Sequence, residues 1–153
     1  MVAEALTIPA AQEDAAWDDD AVDLVVSASG RYPYFLQQFG QETWNGAAGP
    51  AITLRDAELG VLQGNNQLDN GFFRARWDRA TASEQQYLRA MAVDGDSGSA
   101  SGAIATRLTK KPKSLGPTRA ALIAKGLVYA PEYGVVAFTV PGMAAFIGRQ
   151  IEP

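Results

Sequence analysis

The 153-residue chain contains neither cysteine nor histidine, which removes disulfides, thiolate nucleophiles, imidazole bases and nearly every zinc site. Its 47% hydrophobic content suffices for one domain or two small ones. No apolar run approaches the roughly 20 residues of a membrane span, and the first residues lack the basic-then-apolar order of a signal peptide, so a cytoplasmic protein without a membrane partner is expected. The net charge of −4 hides an asymmetry: residues 1–30 hold seven acids and no base, and residues 97–131 hold six bases and no acid. The two halves are therefore expected to face different partners.

Residues 1–16 are Ala-rich, interrupted by Pro9, and carry no useful amphipathic period, so they read as a cut end. From Trp17 the pattern sharpens. Asp18 is placed as an N-cap, Asp19 and Asp20 fall in the first turn, where the helix dipole favours negative charge, and Ala21, Leu24, Val25 and Ala28 form a stripe. Trp17 and Val22 are spaced as a hydrophobic staple. Three consecutive helical Asp residues point in three directions, which predicts a cap and no metal site. Gly30-Arg31-Tyr32-Pro33 breaks this helix and starts another, with Pro33 suited to the first helical position and Phe35, Leu36 and Phe39 on one side. Gly46 and Gly49-Pro50 end it. Thr53 with Asp56 makes a variant capping box for a helix whose expected apolar face is Leu54, Ala57, Val61 and Leu62. After Gly64-Asn65-Asn66 a further helix is predicted from Leu68, Phe72, Phe73 and Trp77. With no strand signal, residues 17–79 predict a small all-α bundle. Arg74, Arg76 and Arg79 read as a solvated face near the domain junction.

Thr81 with Glu84 is a capping box of the standard kind, opening a helix with Leu88 and Met91 inward. The boundary is placed there, giving one domain over 1–80 and another over 81–153. Asp94 to Gly102 reads as a Gly/Ser/Asp loop. Ile104, Ala105 and Leu108 then recur at helical spacing, Thr109–Ser114 with Pro112 breaks the pattern, and a second helix carries Leu115, Leu122 and Ile123 until Gly126. Leu127-Val128-Tyr129 and Val135 to Val140 alternate like strands around Pro131-Glu132-Tyr133-Gly134, and Met143, Ala144, Phe146 and Ile147 form a closing helix. This order predicts a winged helix-turn-helix with a two-stranded wing hairpin, in a chain that is mainly α.

With Leu115 and Leu122 inward, the second helix presents Gly116, Pro117, Ala120 and Ala124, none of which can make a bidentate contact to a base. Sequence-specific DNA reading is not expected. The candidate nucleic-acid residues are Arg107, Lys110, Lys111, Lys113, Arg119 and Lys125, whose contacts would go to phosphates and be weak, sequence-insensitive and salt-dependent. Lys110, Lys111 and Lys113 flank a helix N-terminus, where charge and backbone N–H groups would act on one phosphate. The other reading of these lysines is that they keep the turn solvated while the winged helix docks on protein.

An all-α half followed by a winged helix, together with three segments, resembles the C-terminal part of a bacterial AAA-type ATPase of the archaeal-ATPase and origin-initiator-like group. Ser29-Gly30-Arg31-Tyr32-Pro33-Tyr34-Phe35-Leu36-Gln37 resembles the glycine-then-proline helix start of that family's lid. Residues 80–92 resemble its first winged-helix segment, and Arg119 through Tyr129 with Ala137-Phe138-Thr139-Val140-Pro141 the remainder. The resemblance covers about residues 17–148. It implies that residues 1–80 form a lid closing over a nucleotide, with Gly30, Arg31 and Pro33 as its cofactor-binding residues and Arg31 sensing phosphate charge. It also implies a non-catalytic fragment. The chain has no Gly-Lys pair and hence no phosphate-cradling Walker loop, so ATP and Mg²⁺ would belong to an ATPase core upstream in the parent chain, and this chain would itself carry no cofactor. The implied role is to couple nucleotide state to a protein or nucleic-acid partner. The alternative function is a free-standing winged-helix DNA-binding transcription regulator with an N-terminal helical domain for dimerisation or sensing.

Overall fold

A computed structural model describes residues 2–152. The chain is mainly helical with small sheets and divides into two units, Met1–Asn70 and Gly71–Pro153. No helix among the described residues is long and apolar enough to cross a membrane.

The first unit runs α1 (Glu4–Gln12), β1 (Ala16–Trp17), α2 (Asp19–Ala28), α3 (Pro33–Gly46), β2 (Ala51–Ile52) and α4 (Leu54–Gln67). Two expectations change. The segment that reads as a cut end is helical, burying Leu6 and Ala10 with Pro9 inside the helix, and Leu6 reaches α3 at Gly40, where a Cβ would meet its Cδ2 at 2.6 Å. Two buried positions four residues apart are too few to register as a period. The half is also not all-α, because β1 pairs in parallel with β2, Ala16 opposite Ala51 and Trp17 opposite Ile52. The Ala16 N–H donates to the Pro50 carbonyl at 2.8 Å and the Asp18 N–H to that of Ile52 at 2.9 Å. Asp18 occupies the N-cap of α2 with extended backbone, but its side chain makes no capping bond.

The most extensive contact in this unit is α3 against α4. The buried face of α4 is Ala57, Gly60 and Gly64, whereas Leu54 and Leu62 of the expected face are exposed, as is Leu59. The cause is backbone proximity. A Cβ on Gly60 would lie 2.6 Å from both Cα and N of Thr43, and one on Gly64 would overlap the Phe39 ring. Leucine cannot enter such a contact and glycine can, so Gly64 packs the helix where the sequence suggests a break. Both Phe39 and Thr43 are fully buried, and the Thr43 hydroxyl donates to the Phe39 carbonyl at 2.8 Å. α4 opens on the expected capping box, with Asp56 N–H donating to Thr53 Oγ1 at 3.3 Å and Thr53 N–H to Asp56 Oδ2 at 2.9 Å.

After a π-helical turn at Leu68–Phe73, the second unit contains α5 (Arg74–Asp78), α6 (Ala82–Ala92), β3 (Ser99–Ala100), α7 (Ser101–Arg107), α8 (Gly116–Ala124), β4 (Val128–Tyr129), β5 (Val135–Phe138) and α9 (Met143–Gly148). Short 3-10 turns occupy Gly95–Ser97 and Pro112–Leu115. The sheet order is β3-β5-β4, antiparallel throughout: Ser99 faces Val136, Ala100 faces Val135, Val128 faces Phe138 and Tyr129 faces Ala137. The predicted two strands are therefore joined by a third, from the segment that reads as a loop. Leu88, Met91, Ile104, Leu122, Val128, Val136, Phe146 and Ile147 fill the core.

The boundary falls at Asn70/Gly71, ahead of the expected residue 80. Phe73 and Trp77 are only 4% and 5% exposed, and both belong to the second core. The Phe73 ring stacks on Phe146 at 5.5 Å, the Arg89 guanidinium lies 5.1 Å from the Trp77 ring, and Gln85 Nε2 donates to the Trp77 carbonyl at 3.0 Å. The Thr81 cap starts a helix within this unit, not the unit itself. Nor are the neighbouring arginines a merely solvated face. Arg74 donates to Gln150 Oε1 at 2.7 Å, Arg76 lies 3.6 Å from the Phe72 ring centre, and Arg79 donates to the Lys125 carbonyl at 3.0 Å.

These contacts generate two predictions. Gly60→Ala should destabilise the first unit by about 1–3 kcal/mol, as overpacking does, although alanine normally improves a helix; urea unfolding monitored by circular dichroism measures it. A fragment of residues 71–153 should show a cooperative thermal transition, and one of residues 81–153, lacking Phe73 and Trp77, should lose it.

Candidate functional site

The turn from α2 to α3 brings Gly30, Arg31 and Pro33 together. Ser29 is buried, its hydroxyl donating to the Val26 carbonyl at 2.7 Å and accepting from the Arg31 N–H at 3.1 Å, while the Tyr32 N–H donates to the Ser29 carbonyl at 3.0 Å. This knot forces left-handed backbone at two successive residues, φ 58° at Gly30 and 61° at Arg31. For glycine that conformation is free, whereas for arginine it costs about 1–2 kcal/mol. Pro33 opens α3, and Tyr32, in the N-cap position, makes no side-chain capping bond. Arg31 is exposed at this helix start. An exposed arginine two residues ahead of an uncapped helix is a residue type suited to an anion.

The six basic candidates of the second unit are not one patch. Arg107 is clamped to Asp94, Nη1 to Oδ2 at 2.6 Å and Nη2 to Oδ1 at 2.8 Å, with a further bond from Nη1 to the Ala90 carbonyl at 2.9 Å. The Arg107 guanidinium and the Ser99 hydroxyl hold the Asp94 carboxyl down at about 2, against an ordinary 3.8. Lys125 Nζ sits 2.7 Å from Glu84 Oε2 and donates to the Arg79 carbonyl at 2.9 Å. Glu84 has only 8% of its side chain exposed; the hydrogen bond from Lys125 lowers its pKa against the opposing effect of burial. Lys110, Lys111 and Lys113 are exposed in the turn before α8, and among the described residues none pairs with them. Arg119 is half-buried on α8 near Tyr87, and lines a cleft with Ser101, Glu132 and Tyr133.

A separate groove in the first unit is bordered by Leu6, Pro9, Trp17, Leu36 and Trp44. Its one ionisable group among the described lining residues is Glu13, which provides no acid–base pair.

The sequence pattern of a family described as a domain of unknown function (DUF8462) matches residues 70–147. The chain belongs to this family. The DUF8462 span starts inside the π turn and ends in α9, so it takes in Phe73, Trp77, both ion pairs and the Arg119 cleft, and leaves the Gly30–Pro33 turn outside. No curated protein matches the chain.

Within the DUF8462 region, two acids that matter are not recognisable as partners from spacing. Asp94 lies 13 residues from Arg107 and Glu84 lies 41 from Lys125, so only the folded chain joins them. Glu84 is legible as a cap and Asp94 only as a loop residue.

The Asp94 pairing sets a pH dependence. Its carboxyl titrates at about 2 when folded against an ordinary 3.8, so as pH falls through this window the unfolded chain takes up the proton first. Stability present above about 4 is then lost toward about 2. Asp94→Asn should flatten the stability-against-pH curve across that window, measured by urea unfolding at stepped pH.

Proposed function

We propose that this chain is the non-catalytic lid and winged-helix region of an AAA-type ATPase, coupling nucleotide state to a bound partner. The observation that carries this reading is the α2–α3 turn, where an exposed guanidinium is held in left-handed backbone at an uncapped helix start. The nucleotide's phosphate supplies the charge, and Arg31 with the first N–H groups of α3 would face it. α3 begins at this turn and is locked to α4 through Gly60 and Gly64. A pull on Arg31 therefore moves the two helices as one body.

Mg²⁺ and the remaining phosphate contacts belong, in this reading, to an ATPase core upstream of the chain. In the second unit, the order α6, β3, α7, α8, β4, β5 and the antiparallel sheet support a winged helix with β4–β5 as the wing. A free-standing sequence-specific regulator has less support, since Gly116, Pro117, Ala120 and Ala124 are exposed where a reading helix needs polar side chains.

Titration calorimetry of this chain with Mg·ATP should give no saturable heat in the micromolar range, about −8 kcal/mol in binding free energy. Saturable binding there overturns the fragment reading. In the chain joined to its ATPase core, Arg31→Asn keeps a residue that tolerates left-handed backbone and removes the charge. Turnover should fall while the thermal transition does not; unchanged turnover overturns the sensing role of Arg31.

A further inference from the structure

α8 turns Leu122 inward, packs behind the buried Leu115, and leaves Gly116, Pro117, Ala120, Ile123 and Ala124 exposed. At about 100° per residue these five fall on one side of the helix. Ile123, grouped with Leu122 by sequence spacing, is 37% exposed, and nothing lies within 4 Å of where a Gly116 Cβ would be. The face is smooth, apolar and free of hydrogen-bonding side chains. Arg119 flanks it beside Ile123, in the cleft shared with Glu132 and the fully exposed Tyr133. Among the described residues no carboxylate forms an ion pair with Arg119. Lys110, Lys111 and Lys113, also unpaired, stand in the turn just before the helix.

We propose that this face docks an acidic amphipathic protein segment. Its apolar side chains cover the α8 stripe, one carboxylate enters the Arg119 cleft, and further acids face the lysines. Charge complementarity selects the occupant, because of the six cations over residues 97–131 the four around the stripe form no ion pair among the described residues, whereas Arg107 and Lys125 are paired with Asp94 and Glu84. Small residues along α8 let a partner helix approach closely, within the usual 8–10 Å between axes. A duplex fits less well. Its phosphates would meet the cations, but its base edges find no donor or acceptor on the stripe, and Ile123 would gain no apolar partner. This inference rests on the winged-helix reading of the second unit and not on the ATPase reading.

The test uses the full chain, with a labelled synthetic helical peptide bearing leucine on one face and glutamate on the other, its lysine counterpart, and a mixed-sequence duplex. Fluorescence anisotropy should show binding of the glutamate peptide and none of the lysine peptide. Amide shift perturbations should cluster on α8 and the residues of the Arg119 cleft. Ile123→Ala, at an exposed position, and Arg119→Gln, at a half-buried one, should each weaken the glutamate peptide by at least about fivefold, which is about 1 kcal/mol. Absence of peptide binding, perturbations away from α8, or indifference to Ile123→Ala overturns the proposal. Duplex binding that needs Arg119 and ignores Ile123→Ala replaces the protein partner with nucleic acid. A failure of the winged-helix reading appears separately, as missing cross-strand contacts between Val128 and Phe138 or Ser99 and Val136. A failure of the ATPase reading appears only in the calorimetry.

Discussion

Glu84 Oε2 accepts two hydrogen bonds at once, from the Thr81 N–H at 2.9 Å and from Lys125 Nζ at 2.7 Å. The second unit depends on this atom. It caps the first turn of α6 and holds the residue that ends α8, while Arg79 and Lys125 exchange bonds to each other's carbonyls. At this pinned end of α8, Leu122 is buried and Ile123 is exposed. A carboxylate buried this deeply is tolerated only when paired, so removing the lysine would leave an uncompensated charge. Its cost and its specificity come from the same contact.

The pairing also changes the meaning of the composition. The basic run over residues 97–131 holds six cations, but Arg107 and Lys125 serve the interior ties of the second unit. What is left without an ion pair among the described residues is narrower: three lysines in one turn and Arg119 in its cleft. The acids of residues 1–30 remain exposed on the first unit, on α1, α2 and the loops beside them. Charge asymmetry in the sequence is thus real at the surface, though carried by fewer groups than a count suggests.

Legibility followed range. Both capping boxes, Thr53 with Asp56 and Thr81 with Glu84, span three residues and are in place, as are the helix start at Pro33 and the stop near Gly126. Strands β1, β2 and β3 are two residues long, too short to alternate, and each is defined only by a distant partner. α4 misled for another reason. Gly60 and Gly64 look like weak points of a helix, and only the nearness of Thr43 and Phe39 makes them its packing surface. At the candidate site, Gly30 announces left-handed backbone; that Arg31 shares it follows from the Ser29 hydroxyl, whose reach no pattern encodes.

Arg31 lies where the chain's two requirements part company. Glycine and asparagine relax at a φ of 61°, and arginine does not. Selection for thermal resistance alone would carry this position to asparagine or glycine, discarding the guanidinium and leaving the turn otherwise intact. A library screened by heat would therefore converge on a sturdier molecule that had lost its charge at the start of α3, and would mark residue 31 as the place where durability trades against the guanidinium that the proposed phosphate contact needs.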